Sequence, residues 1–171
     1  MGLKDIVRLV EDDLARVEEV LRSQVRSDVR LVGEIVSPYQ RNATGVTVVL
    51  DTPGKELRAL IDPEAVRKIC TNLVENAMEA MAGGGELQIS CAEAMRDGRR
   101  TVAITFRDTG PGLSKEARAR LFEPYFSTKT TGTGLGLAIC RSLSREMGGD
   151  VTVENIPGGP GVEAVLYVKA V

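Results

Sequence analysis

The sequence predicts an α/β (α+β) sandwich, a mixed β-sheet with helices on one face, preceded by an N-terminal amphipathic helix. Three observations predict it. Short β-branched or alternating runs recur from residue 46 onwards. Two well-punctuated helices lie among them, and a polar turn joins two of the runs as a hairpin would.

The first segment reads as helix. Leu3, Val7, Val10, Leu14, Val17 and Leu21 are spaced 4-3-4-3-4, the period of a coiled-coil seam, while Glu11, Asp12, Arg16, Glu18, Glu19 and Arg22 fill the other faces. Residues 1–26 are therefore expected to form a helix of a dimerising hairpin or bundle, or one lying on its own domain. Residues 27–171 form the remaining domain. After Ser27 and Asp28, a second amphipathic helix is expected through Leu31, Ile35 and Val36, ended or kinked by Pro38.

The period then changes to two. Strands are expected at Val46–Leu50, Glu86–Ser90, Thr101–Phe106, Asp150–Glu154 and Val162–Val168, with a turn around Gly98 between the second and third. Asp62-Pro63-Glu64 starts a helix: an N-cap, a proline at the first helical position and an acid at the positive end of the dipole. It runs to Met81, where Ala82-Gly-Gly-Gly85 stops it, with Leu73, Ala77, Ala80 and Met81 expected on the core face. The last helix spans Gly136 to Met147 and is closed by Gly148 and Gly149.

Composition narrows the chemistry. The chain carries no histidine, which excludes Ser-His-Asp triads, imidazole bases and His-ligated zinc sites. A net charge of −2 gives no reason to expect nucleic acid as partner. Cys70, Cys91 and Cys140 are dispersed and read as small buried hydrophobes in a reducing, cytoplasmic setting. No apolar run approaches the roughly 20 residues of a membrane helix, so no membrane contact is expected in this segment, although the parent could be anchored elsewhere.

Four segments could carry function. Asn72, Asn76 and Glu79 share one helix face. They are either oxygen ligands for a hard cation such as Mg²⁺ or a solvated surface. Asp108-Thr-Gly-Pro-Gly112 follows the strongest strand and is either a ligand-approach turn with an acceptor for an exocyclic amine, or an ordinary tight turn. Leu121 to Lys129 holds Phe122 and Phe126, two of the three phenylalanines. It reads as a segment anchored at one end and mobile at the other, or as a helix-loop packed on the core. Gly132-Thr-Gly-Leu-Gly136 opens the last helix and offers backbone N–H groups to a phosphate, in neither the dinucleotide nor the P-loop spacing.

In this order the four resemble the GHKL ATP-binding fold and, more narrowly, the catalytic and ATP-binding domain of bacterial sensor histidine kinases. NLVENAMEA is similar to the family's N box, DTGPGL to its G1 box, FEPYFSTK to its F box and GTGLGLAI to its G2 box, over about residues 28–168. The resemblance implies ATP and Mg²⁺ as cofactors. Asn76 would face the metal with Asn72 beside it, and Asp108 the adenine amino group with Gly110 and Gly112 giving the base room. Gly132, Gly134 and Gly136 would lie against the phosphates, with Leu113, Thr131, Thr133, Leu135 and Leu137 in the same nucleotide shell. Lys129 would reach the phosphate tail from a lid over Leu113–Thr133.

The implied activity is transfer of the γ-phosphoryl to a histidine on the dimerisation domain of the same kinase, upstream of a response regulator. A homodimer through residues 3–22 is the further implication. A regulatory nucleotide-binding module and a serine kinase of the same fold are the alternatives. Related ATPases place a water-activating glutamate at the position of Asn72; an amide lacks that basicity, so slow hydrolysis is expected. The chain departs from the pattern at Glu79, where the kinases often carry a base, and at Val162, which follows Gly159-Pro-Gly161 where a hydroxyl is usual. The phosphoacceptor histidine is the third departure.

Overall fold

The computed structural model describes residues 25–28, 30–42, 45–54, 56–127 and 133–171. The helix expected over residues 3–22, and with it the dimer, lies outside them. The elements are β1 (Val25–Asp28), α1 (Arg30–Asn42), β2 (Val46–Asp51), β3 (Arg58–Ile61), α2 (Pro63–Ala80), β4 (Gly85–Arg96), β5 (Arg99–Asp108), α3 (Lys115–Arg120), α4 (Gly136–Glu146), β6 (Asp150–Asn155) and β7 (Val162–Ala170).

The strands form one mixed sheet in the order β1-β3-β7-β5-β4-β2, with β6 also paired to β7. Only β2 and β4 run parallel among the described pairs. One edge of β7 bonds β5 along its length; the other is shared, with β6 against Val162–Tyr167 and β3 against Lys169 and Ala170. The expected sandwich is what forms.

Alternation in the strands produces the core. Leu87, Ile89 and Cys91 of β4, Val102, Ile104 and Phe106 of β5, and Ala164, Leu166 and Val168 of β7 point to the helical side and are buried. Val66, Ile69, Cys70, Leu73 and Val74 of α2 meet them, and Val32, Ile35 and Val36 of α1 close the cluster. Each such side chain contributes about 1.5–3 kcal/mol when fully withdrawn from water. All three cysteines are buried and unpaired, and burial pushes the Cys91 thiol up to about 11. They are core residues, as expected.

Three expectations need correction, and one strand was not foreseen. Val25 and Arg26 belong to a strand, not to the N-terminal helix, because β1 pairs antiparallel with β3 in the register Val25↔Ile61 to Asp28↔Arg58. The domain boundary between 26 and 27 therefore cuts through a sheet strand. Strand β3 itself had no signal, since its four residues are too short to display a period. Helix α1 runs through Pro38 to Asn42. The Glu34 carbonyl that proline leaves without its helical N–H accepts the Ser37 hydroxyl at 3.3 Å. Finally, Ala80 is exposed and not in the core stripe, lying instead beside Gly110.

The hairpin is longer than its alternating centre suggests. Strands β4 and β5 pair from Leu87↔Asp108 to Arg96↔Arg99, closed by Asp97 and Gly98 with φ of 51° and 73°, a two-residue turn with both positions left-handed. Helix α2 starts as expected: Asp62 Oδ1 accepts the Glu64 N–H at 2.9 Å and the Ala65 N–H at 3.3 Å. Asp62→Ala should cost about 1 kcal/mol, read as a lower urea midpoint with an unchanged denaturant slope.

Candidate functional site

Asp108 ends the inward-pointing row that begins at Val102, so the two-residue period of β5 drives its carboxylate under the helices. Its exposure is 6%, a value normally reserved for apolar residues. Oδ1 accepts two backbone N–H groups, from Gly110 at 2.9 Å and from Val162 at 3.2 Å. Burial pushes the carboxyl pKa up, and those two bonds pull it partly back. Both hydrogen bonds that Asp108 accepts from described residues fall on Oδ1, which leaves Oδ2 as an acceptor for a ligand.

The loop after Asp108 is shaped by close approach. A Cβ on Gly110 would stand 2.9 Å from Asp108 Oδ1 and 3.4 Å from the Ala80 Cβ. Thr109 closes the loop's other flank: its Oγ1 accepts the Glu86 N–H at 2.9 Å, and its own N–H bonds the Glu86 carbonyl at 3.1 Å. At the loop's end, Asn155 holds the backbone of Leu113 on both sides, Oδ1 accepting its N–H at 2.7 Å and Nδ2 donating to its carbonyl at 2.9 Å.

The amide stripe of α2 divides. Asn72 and Asn76 are half-buried, whereas Glu79 is exposed. Asn76 Nδ2 donates to Asn72 Oδ1 at 2.9 Å, so the two side chains are locked together. Asn72 in turn packs on the first residue of α4: a Cβ on Gly136 would lie 2.4 Å from its Nδ2. Eight residues along the same helix, Ala80 touches Gly110. Helix α2 thus spans two Gly-lined places about 12 Å apart at 1.5 Å per residue.

Helix α4 begins at Gly136 after Leu135, which provides no side-chain cap, unlike Asp62 for α2 and Ser114 for α3. Its first N–H groups are left for other acceptors. Gly134, at φ 68°, lets the chain cross the backbone of Tyr125 and Phe126; a Cβ there would come within 2.6 Å of the Tyr125 carbonyl carbon. The Phe122–Phe126 stretch is anchored on two helices. Arg141 of α4 lies 3.8 Å over the Phe122 ring, and Arg120 of α3 lies 4.4 Å over Phe126 while bonding Glu123 at 2.8 Å.

Of the residues the sequence singled out, Asn72 and Asn76 meet Gly136 about midway along α2, with Gly134 two residues earlier against Tyr125 and Phe126. Asp108, Gly110, Gly112 and Leu113 meet near the C-terminal end of α2. Leu135 and Leu137 flank the start of α4, with Leu137 packed on the core, and Thr133 is exposed. Lys129, Thr131 and Gly132 fall outside the described residues. Missed by the sequence reading were Asn155, Thr109 and the Val162 N–H. Thr109 sits within DTGPGL but its pairing with Glu86 has no signal there, and the contacts of Asn155 and of the Val162 N–H are revealed only by strand register. The departure at Val162 matters less than expected, because the contact it makes with Asp108 is through backbone.

Residues 61–170 match the family described as histidine kinase-, DNA gyrase B- and HSP90-like ATPase. The chain belongs to this ATPase family. Within the family, the C4-dicarboxylate transport sensor protein DctB of Pseudomonas aeruginosa is 37% identical over 140 residues, 74% of this chain and 23% of that protein. Sensor histidine kinase ZraS of Klebsiella oxytoca is 37% identical over 101 residues, 59% of this chain and 21% of that one. The chain therefore spans less than a quarter of either relative. Among solved structures, the nucleotide-free catalytic domain of histidine kinase ThkA superposes with a TM-score of 0.73 at 29% identity, covering 85% of this chain and 95% of that one. Full-length ShkA, solved with AMPPNP, gives 0.71 at 30% identity over 86% of this chain and 31% of that one. The domain is thus of the ATP-binding catalytic type found in sensor histidine kinases. No helix among the described residues is long and apolar enough to cross a membrane.

Because Asp108 holds its proton more tightly folded than unfolded, its ionisation opposes folding above its raised pKa, and this penalty fades as pH falls towards the ordinary carboxylate range. The stability of Asp108→Asn relative to wild type should therefore be greatest near neutrality and shrink on acidification. Thermal midpoints of the two proteins across that range check it, and a constant difference would contradict it. Gly136→Ala should cost about 1 kcal/mol by pushing Asn72 off Asn76. In an Asn72→Ala background the same change should turn neutral or stabilising, since alanine is the better helix former by about 1 kcal/mol; chemical denaturation of the four proteins measures the coupling.

Proposed function

We propose that this chain binds Mg-ATP across α2 and donates the γ-phosphoryl to a histidine carried on a separate helical hairpin, as the kinase half of a cytoplasmic two-component sensor. The observation that carries the reading is the contact of Asn72 with Gly136, which sets an oxygen-bearing helix face against an uncapped glycine-rich helix start. One side suits a cation and the other an anion. At the far end of α2, buried Asp108 offers Oδ2 to the adenine amino group, and Gly110 and Gly112 leave the ring space.

The donor set fits Mg²⁺ of the kind held largely by phosphates and water. Among the described residues no group of three or more carboxylates or thiols forms a protein cage. Asn76, whose Nδ2 donates to Asn72 Oδ1, would supply an amide oxygen as the hard ligand. A cation held there would supply charge neutralisation for the phosphates. Asn72 positions Asn76, the first amides of α4 bind phosphate oxygens, and the Lys129 amine would reach the phosphate tail.

In the transfer, a ring nitrogen of the acceptor histidine forms a bond to Pγ as the bond from Pγ to the β–γ bridging oxygen breaks and ADP leaves. A neutral imidazole is already nucleophilic, so positioning and electrostatics suffice and this chain needs no base. Its lack of histidine is consistent with a donor role. Mixed with ATP, Mg²⁺ and a histidine-bearing hairpin from a kinase of this type, the chain should place acid-labile phosphate on the hairpin and none on itself. Asp108→Ala should weaken ATP binding by about tenfold or more. Good ATP binding with no labelled hairpin would favour a regulatory nucleotide-binding module instead.

A further inference from the structure

The loop that carries Asp108, Gly110 and Gly112 is gripped at both ends by one register pair of the β6–β7 hairpin. Asn155, the last residue of β6, and Val162, the first of β7, are partners in the sheet. Val162 N–H holds Asp108 Oδ1 at the loop's start, and the Asn155 side chain holds Leu113 N–H and carbonyl at its end. The hairpin turn is itself braced, Ile156 N–H bonding the Gly161 carbonyl at 3.1 Å. Gly161, at φ 102°, lies so close to the Asp108 carbonyl that a Cβ there would overlap it. Gly112, at φ 83°, presents its bare Cα side to Asn155 Oδ1, 3.2 Å from where a Cβ would stand.

Asparagine is suited to the Leu113 end. Its amide accepts and donates side by side in one plane, so it pairs with a residue's N–H and C=O as a neighbouring strand would. Aspartate keeps the acceptor but sets a carboxylate oxygen against the Leu113 carbonyl. Leucine keeps the volume and loses both bonds.

We propose that Asn155 is a positioning residue that sets base selectivity: by fixing Leu113 it holds the loop at the spacing from Asp108 at which an adenine amino group is accepted and a guanine carbonyl is refused. It acts through the loop, 42 positions away in sequence from the residue it holds. This rests on the nucleotide reading above.

The test is titration of the full chain with Mg-ATP and Mg-GTP, in wild type, Asn155→Leu and Asn155→Asp, with amide exchange at Leu113 read in the nucleotide-free proteins. Asn155→Leu should lose about tenfold or more of the ATP-over-GTP preference, with Asn155→Asp intermediate. Leu113 protection should collapse in Asn155→Leu while Ile104 stays protected. A purely structural role would lower the thermal midpoint and leave the ATP:GTP ratio within about twofold of wild type, which overturns the inference. If Asn155→Leu does not fold, the ratio in Asn155→Asp decides. Wild type that binds neither nucleotide overturns the functional reading itself, and a wild type that binds ATP with an unchanged ratio in the variants overturns this inference alone.

Discussion

The constraint on which the site depends is the burial of one carboxylate. A β-strand that spends Val102, Ile104 and Phe106 on the core must point its residue 108 the same way, and here that residue is Asp. Left unpaired, a buried carboxylate would cost several kcal/mol or take up a proton. The fold answers with two backbone N–H groups on one oxygen. That solution requires a chain reversal at Gly110, a second strand start at Val162 and a glycine at 161 to admit the close crossing. The loop at Gly110, the strand start at Val162 and the glycine at 161 thus all converge on one carboxylate.

At the other part of the site the described residues Asn72, Asn76, Gly134 and Gly136 are uncharged, and their logic is steric. Gly136 and Gly134 are places where another group occupies the volume of a side chain: Asn72 in the first case, the Tyr125–Phe126 backbone in the second. A helix start without a cap is normally a weakness worth about 1 kcal/mol. The neighbouring α2 and α3 are both capped by side chains, Asp62 and Ser114, whereas the start of α4 is not, which is the condition that the proposed phosphate contact needs.

Much of this was legible in the sequence, for identifiable reasons. The helix start at Asp62, the turn at Gly98 and the glycine clusters are local devices whose physics acts within four residues, so residue order suffices to find them. Strands β1 and β3 were not legible, because four-residue strands show no period and their pairing with each other and with β7 is a tertiary event. Pro38 does not end α1, because the carbonyl it leaves unpaired is bonded by a hydroxyl one position away, which composition does not announce. Asn155 was invisible for a deeper reason. It precedes a turn and looks like turn chemistry, and its task appears only once β6 is laid beside β7 and Leu113 comes within reach.

A site made largely of amides and backbone has a particular electrostatic character. Asn72, Asn76, Asn155 and the N–H groups of α4 carry no titrating proton, so their hydrogen bonds are indifferent to pH around neutrality. Among the described residues assigned to the site, the ionising group is Asp108, and burial moves it upward, not downward. Were the same carboxylate exposed and ion-paired, its pKa would fall and its state would be fixed across all physiological conditions. Burial instead brings its titration nearer to neutrality while the two N–H bonds hold it back. The strength of those two bonds, set by the placement of Gly110 and Val162, thereby determines how far into the acid range the site keeps its acceptor charged.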